Sequence, residues 1–401
     1  MCAQDNVRPA CNVIESPKIV GDFRACRRML VGPGVNQPAP FPGYTGFVGW
    51  ESVIRLRNGT WLLGFSAGYW HASPPTPFTQ DPEVIRGWEK IGFPADIEAP
   101  RGGRAMISRS TDEAMTWSKP ETLWDSPQDD RHPNFCELED GTVLCSFFLY
   151  PGGGTMIIRS TDGGETWEQA CEPLPGSTDG PIITLQDGSA MICVYGRLSD
   201  HETDSECGFF RSVDRGDTWE RVAVIPSDHE MSEGSIAQLE SGRIVLVTRP
   251  EADVCWSDDG GRTWTPPVSL GNRLFEPGLI ALRDGTLLCL HGSYAAGGLA
   301  CMFSRDEGET WLVPKKDRGF AVDPSVYGYG KGIELPDGSV YVVYIHTGGH
   351  KAEDAVSNAI WAIRMRVADD YQGIEVLPVP GAGEDEVAQV STDGPKEMEG
   401  I

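Results

Sequence analysis

The sequence predicts an all-β chain folded as a six-bladed β-propeller with four-stranded antiparallel blades. Three observations predict it. An octet recurs five times, a Leu-x-(Asp/Asn/Ser)-Gly turn recurs six times, and 48 Gly and 30 Pro break 401 residues into short apolar runs.

The octets are Ser110-Thr-Asp-Glu-Ala-Met-Thr-Trp117, Ser160-Thr-Asp-Gly-Gly-Glu-Thr-Trp167, Ser212-Val-Asp-Arg-Gly-Asp-Thr-Trp219, Ser257-Asp-Asp-Gly-Gly-Arg-Thr-Trp264 and Ser304-Arg-Asp-Glu-Gly-Glu-Thr-Trp311. They share the pattern S-x-D-x-G-x-T-W, with Ala114 the single departure at the Gly, and their aspartates recur 45 to 52 residues apart. Repetition at such a period is the signature of a repeat architecture. Asp and Ser side chains can bond backbone amides within a turn. The Gly supplies a backbone angle other residues resist, and the Trp packs an apolar layer. An aspartate repeated in every blade builds the fold, whereas a reaction site needs different residues from different blades.

The leucines of the second motif are Leu56, Leu138, Leu185, Leu239, Leu282 and Leu335. Each is followed by a tight turn between two apolar runs, the mark of a hairpin. Two hairpins per repeat make the four strands of a propeller blade, and six such turns predict six blades. The sixth blade lacks an octet and is built from Tyr341–Ile345 and Ala359–Arg366, with Lys18 to Leu30 able to add a closing strand. The expected organisation is one propeller over residues 1–380 and a mobile polar tail over 381–401.

Composition narrows the partners. A net charge of -26 argues against nucleic acid, whose binding rests on Lys and Arg neutralising phosphates, and against an anionic membrane surface. No apolar run reaches the ~18 residues of a spanning helix. Eleven cysteines, several inside apolar strands, cannot all pair and read as reduced thiols. The absence of a CxxC pair argues against zinc, and no cofactor is implied. The residues Met1-Cys2-Ala3-Gln4-Asp5 carry no signal-peptide pattern. A cytoplasmic protein is therefore expected, although a chain from which a signal had been removed would read the same.

Propeller sites lie where the innermost strand of each blade begins. Counting six residues back from each leucine gives Trp50, His132, Asp179, Glu233, Glu276 and Tyr329, with Glu51, Arg131, Asn134 and Lys331 beside them. Three carboxylates, a His and a Tyr on one axis are costly to group without a ligand. The second strand of each blade returns to the same end, bringing Trp70, His71, Tyr150, Arg197, Arg249, His291 and His346. Arg197 and Arg249 suit a carboxylate or a sulfate, or else a rim carboxylate such as Glu233 or Glu276.

The octet resembles the Asp-box, or BNR repeat, of the sialidase (neuraminidase) superfamily, over roughly residues 45 to 367. The resemblance implies boxes on the outer hairpin of each blade and a site built from a Tyr nucleophile, a Glu that takes its proton, an Asp acid/base and three Arg that bind the substrate carboxylate. Glu233 matches the Glu, Tyr329 the nucleophile and Arg249 the second Arg. The first Arg has no counterpart, because its stretch reads Val48-Gly-Trp-Glu-Ser-Val53. At the third Arg the chain has His291-Gly-Ser-Tyr294. The acid/base Asp is expected in the loop from Trp70 to Gly103, where Asp81, Glu83, Asp96 and Glu98 are candidates. Trp70, His71, Phe78, Trp88 and Phe93 could wall a sugar ring there.

The sequence therefore predicts a glycoside hydrolase acting on a carbohydrate substrate at a terminal sugar. Glu233, Tyr329, Asp179 and Glu276 are its catalytic candidates. Its substrate-binding candidates are Arg249, Arg197, His132, Arg131, Trp50, Glu51, His291, Lys331, Trp70 and His71. For a sialoside, Tyr329 attacks, Glu233 takes its proton and Arg249 with Arg197 holds the carboxylate. For another sugar, two ring carboxylates act directly. A non-catalytic carbohydrate-binding propeller and a uronate-specific polysaccharide lyase are the alternatives.

Overall fold

A computed structural model describes residues 8–75, 99–199, 206–346 and 358–383. The strands form six separate sheets arranged as a six-bladed propeller. Blade 1 is Phe47–Arg55, Trp61–Gly68, Arg104–Ser110 and Glu121–Trp124, each antiparallel to the next. The innermost strands of blades 2, 4, 5 and 6 are Asp129–Glu137, Ser232–Gln238, Leu274–Ala281 and Gly328–Glu334. In blade 3 only Ile183–Thr184 is paired as the inner strand.

Both repeats do the structural work their chemistry suggests. In the inner turns, Gly59, Gly141, Gly188, Gly242, Gly285 and Gly338 take positive φ of 79 to 94. The Asp or Asn before the Gly accepts the amide two residues on, as Thr142 N to Asp140 Oδ1 at 3.0 Å. In the octets, Asp112 Oδ1 accepts Ser110 Oγ at 2.8 Å and the Thr116 amide at 2.9 Å, while Oδ2 accepts Thr116 Oγ1 at 2.6 Å. The same network recurs at Asp162, Asp214, Asp259 and Asp306. Ala114, standing where the others have Gly, is held at φ 63, a conformation that costs an L-residue about 1–2 kcal/mol.

These bonds have a pH consequence. The Thr116 hydroxyl and amide hold the Asp112 carboxyl down to about 2. A depressed folded-state value contributes stability above the ordinary carboxylate range of about 4 and loses it as pH falls through the folded value. The melting temperature is expected to decline between pH 4 and pH 2. Asp112→Asn is expected to melt lower at neutral pH and to show a shallower acid decline. Parallel melting curves for the two proteins across that range would remove Asp112 from the account.

The N-terminal segment ties the last two blades. Lys18–Val20 runs parallel to Gly373–Leu377, and Arg28–Val31 pairs with the first half of Ala359–Val367. The second half of that long strand pairs with Gly373–Leu377, so two segments share one edge of blade 6. The expectation that Lys18 to Leu30 supplies a strand there is met. Ala10–Val13, for which no strand was predicted, adds in parallel to Thr310–Val313 of blade 5. A four-residue helix, Phe23–Cys26, links the two N-terminal strands of blade 6.

Apolar side chains of adjacent blades interlock to form the core. Leu62, Ile107, Val143, Phe147 and Ile158 fill the space between blades 1 and 2, and Leu185, Met191, Phe209, Ile236 and Leu246 that between blades 3 and 4. Ten cysteines among the described residues are free thiols, eight of them buried. No helix among the described residues is long and apolar enough to cross a membrane.

Candidate active site

Five of the six residues found by counting back from the leucines share a rare backbone state. Trp50, His132, Glu233, Glu276 and Tyr329 have φ of 46 to 63. In each inner strand the register jumps at that point, between Gly49 and Ser52, Arg131 and Asn134, Ser232 and Ser235, Phe275 and Gly278, and Gly328 and Lys331. Each of these five blades thus carries a bulge that re-aims one side chain. Left-handed non-glycine residues of this kind concentrate at functional sites. The sixth residue, Asp179, precedes the short inner strand of blade 3 and has no such bulge.

The ring residues meet across blades. His132 Nε2 stands 3.1 Å from Asp179 Oδ1 and its Nδ1 stands 3.0 Å from Glu276 Oε1, joining blades 2, 3 and 5. The imidazole is stacked between Trp50, at 5.1 Å, and Phe148, at 5.4 Å. Asn134 Nδ2 donates to the carbonyls of His132, at 2.9 Å, and Asp179, at 3.2 Å, fixing the two backbones to each other. Lys331 Nζ donates to Pro277 O at 3.2 Å and lies 3.7 Å from Glu276 Oε1. Glu233 is held at both oxygens: Oε1 accepts Arg249 Nη1, and Oε2 accepts the Glu276 amide at 2.7 Å.

Two hydrogen bonds to one imidazole require two protons among three groups. Either the ring is charged and both carboxyls are ionised, or the ring is neutral and one carboxyl is an acid. Burial pulls the His132 imidazole down to about 4, against the pull of Asp179, and pushes the Asp179 carboxyl up to about 6. Burial also pushes Glu276 well above the carboxylate range, with Lys331 opposing. All three shifts favour the neutral ring with one carboxylic acid. Asp179 Oδ2 and Glu276 Oε2 are buried without hydrogen-bond partners, so each carboxyl keeps one oxygen uncommitted. Glu51, with neither oxygen partnered, is likewise driven up by burial and by Glu276.

Aromatic rings surround this cluster. Trp50 meets His71 edge-on at 5.4 Å, and His71 meets Trp70 at 5.8 Å. Tyr329 stacks on Tyr327 at 5.5 Å and meets Phe275 edge-on at 5.3 Å. Arg131 is bound to Asp129 at 2.7 Å, with its guanidinium 4.9 Å from the Trp50 ring and 4.1 Å from the Tyr150 ring. Beneath the ring, a cavity of about 400 Å³ runs between the inner strands of blades 1, 2, 3, 5 and 6, with Asn134 and Lys331 among its lining residues.

Not every candidate joins the cluster. His291 is fully buried, bonds its own blade through Gly292 O at 3.0 Å, and packs under Gly319 at the outer side of blade 5. Its side chain turns away from the axis, because alternate residues of a strand face opposite ways, so counting strand ends alone misplaced it. Arg197 stands exposed at the end of its strand. Asp81, Glu83, Asp96 and Glu98, with Phe78, Trp88 and Phe93, lie outside the described residues. Three contributors were missed: Tyr195, whose hydroxyl lies against Asp179, and Tyr294 and Tyr327, which flank Arg249 and Tyr329.

Fold and repeat together define an Asp-box propeller of the sialidase superfamily. The model of the BNR repeat-like domain family matches residues 106–342, and the chain belongs to that family. Among curated proteins it is 24% identical to a sialidase of Micromonospora viridifaciens over 335 residues, covering 68% of this chain and 49% of that protein. It is 26% identical to a xyloglucanase of a Paenibacillus species over 137 residues, covering 27% of this chain and 13% of the other. The chain thus spans about half or less of the curated relatives it matches. Similar solved structures include a protein of unknown function from Dyadobacter fermentans, with a TM-score of 0.60 at 19% identity over 84% of this chain and 98% of that one. The Hadza microbial sialidase Hz136 has a TM-score of 0.54 at 20% identity over 79% and 65% of the two chains. A Penicillium chrysogenum α-L-arabinanase has a TM-score of 0.53 at 14% identity over 81% and 95%. The named relatives are glycoside hydrolases, and the neighbours establish the fold.

Proposed function

We propose that the chain is a glycoside hydrolase that releases a terminal sugar by acid–base catalysis between Asp179 and Glu276. One observation carries this reading: two carboxyls from different blades flank a single imidazole, and each has one uncommitted oxygen. Glycoside cleavage needs a proton donor for the leaving oxygen and a second carboxyl for water or for the anomeric carbon. The protonated carboxyl gives up its hydrogen bond to His132 as its proton passes to the leaving oxygen, while the ionised one takes a proton from the water that attacks the anomeric carbon. The ring side chains fill the axis, which supports end-on entry of a chain terminus rather than threading of a polymer. The glycosidase names among the relatives support the same class.

A sialoside reading draws on Tyr329, which lies near Glu233, Glu276 and Arg249. Burial, Tyr327 and these carboxylates push the Tyr329 phenol well above its ordinary range, which opposes a phenolate nucleophile. A panel of aryl glycosides, including a sialoside and a uronide, tests the proposal, with the first-formed anomer followed by NMR. Turnover of one member is expected, and the first-formed anomer reports its stereochemistry. Binding without turnover, or an unsaturated product, would move the chain to a lectin or a lyase.

The acid must be protonated to act. With Asp179 raised to about 6 and serving as the donor, kcat is expected to fall as pH rises through that value. A pH–rate profile flat from 5 to 8 would remove Asp179 from the donor role.

A further inference from the structure

We infer that Glu233 is an electrostatic filter that masks Arg249 and restricts the mouth to uncharged sugars. The identity of the ligand as a sugar rests on the glycosidase reading; the exclusion of anions does not.

Among the described residues three cations act on the cluster, and each already faces a carboxylate: Arg249 with Glu233, Arg131 with Asp129, and Lys331 with Glu276. Asp179 and Glu51 add two further carboxyls with no cation of their own. Arg249 is the most open of the three cations, with 34% of its side chain exposed, against 9% for Arg131 and 7% for Lys331. It is the group a substrate carboxylate would seek. Glu233 offsets its charge through Nη1, and cannot swing aside freely, because its second oxygen is bound by the Glu276 amide at 2.7 Å. That amide belongs to a bulge residue at φ 46, so the anchor is part of the strand and not a mobile side chain. Tyr294 lies over the guanidinium, 5.7 Å from ring centre to Arg249 Cζ, and narrows the remaining approach.

An entering carboxylate would therefore meet a carboxyl-rich pocket with no unmatched cation among these three. Desolvating an anion without a partner is strongly unfavourable. A neutral sugar meets the same groups as hydrogen-bond acceptors and donors, with aromatic faces on either side. Glu233 is thus a specificity-determining residue, distinct from the Asp179–Glu276 pair that carries the chemistry.

The test has a binding arm and a turnover arm. Glucuronate and N-acetylneuraminate are titrated calorimetrically into the wild type, Glu233→Gln, and Glu233→Gln combined with Arg249→Met. Glu233→Gln keeps the shape and releases the guanidinium. It is expected to bind at least one carboxylated sugar about 100-fold more tightly than the wild type, the scale of removing a like-charge contact, and the double variant is expected to lose that gain. Equal affinity in wild type and folded Glu233→Gln, or a gain that survives Arg249→Met, would overturn the filter. Should Glu233→Gln fail to fold, matched aryl glycosides decide. The wild type is expected to cleave a neutral glycoside at least about 100-fold faster than the uronide differing only by its carboxylate, and the reverse order overturns the proposal. A wild type that cleaves no glycoside sinks the hydrolase reading, while the calorimetric arm still decides the filter.

Discussion

Replacing Glu276 by Gln is expected to lower kcat toward a cleavable glycoside by about 10²–10⁴-fold, the usual contribution of a positioned acid or base. The substitution keeps the size of a fully buried side chain and leaves a carbonyl oxygen able to accept from His132 Nδ1, now 3.0 Å from Glu276 Oε1. It removes the ability to take up or release a proton. The loss should fall on kcat with KM changed little, since nothing that shapes the mouth is deleted. Asp179→Asn should behave similarly, and the double variant should cost far less than the product of the two, because both residues titrate through one imidazole. Retention of kcat within about threefold in a folded Glu276→Gln protein, below any acid–base contribution, would move the chemistry to other carboxyls. Circular dichroism and a melting curve on the same sample separate that outcome from misfolding.

Trp311→Ala is expected to produce the largest loss of stability among the octet tryptophans. Trp311 is fully buried against Val245, Leu287 and Val313, and its Nε1 donates to Gly308 O at 3.0 Å. Truncating a buried Trp costs about 3–5 kcal/mol, combining lost transfer energy with the cavity left behind. In a large domain this should lower the melting temperature by roughly 10 °C. Trp167 makes the equivalent bond to Gly164 O at 3.1 Å but is only partly buried. Trp167→Ala should therefore cost clearly less, and the difference reports burial rather than the shared hydrogen bond. Equal losses in the two variants, measured by thermal melts, would show that the octet bond dominates and packing does not.

Much of the fold was legible because each blade repeats its own instructions. Each Leu-x-Asp-Gly turn and each Ser-x-Asp octet closes locally through bonds spanning two to four residues, so one chain suffices to read them. The ring of Trp50, His132, Asp179, Glu233, Glu276 and Tyr329 was legible for the same reason, since it keeps a fixed offset from those turns. What was not legible depends on contacts between blades. Nothing near His132 in the chain announces that Asp179 and Glu276 will bind its two nitrogens. Arg249 was read as facing either substrate or a rim carboxylate such as Glu233 or Glu276, and only the structure decides that it joins Glu233. The strand at Ala10–Val13 escaped notice because edge addition is made by backbone groups and leaves little pattern in the side chains. His291 was drawn in by its position at a strand end, where the facing of a single residue decides whether it meets the axis or the neighbouring sheet.

The left-handed bulges at the mouth bear on how such a molecule changes over generations. In five blades the backbone, by its register jump, has already chosen the direction of the side chain, whichever residue stands there: Trp, His, Glu and Tyr all occupy the same posture. The positions act as sockets of common geometry around one axis. Exchanging an occupant rewrites the local chemistry without renegotiating the frame, and the octets hold that frame from the far side of the five blades that carry one. A lineage built this way can drift from one bond type to another by single replacements. Transplanting the occupants of two or three sockets into a related propeller is accordingly a shorter route to a new specificity than grafting loops.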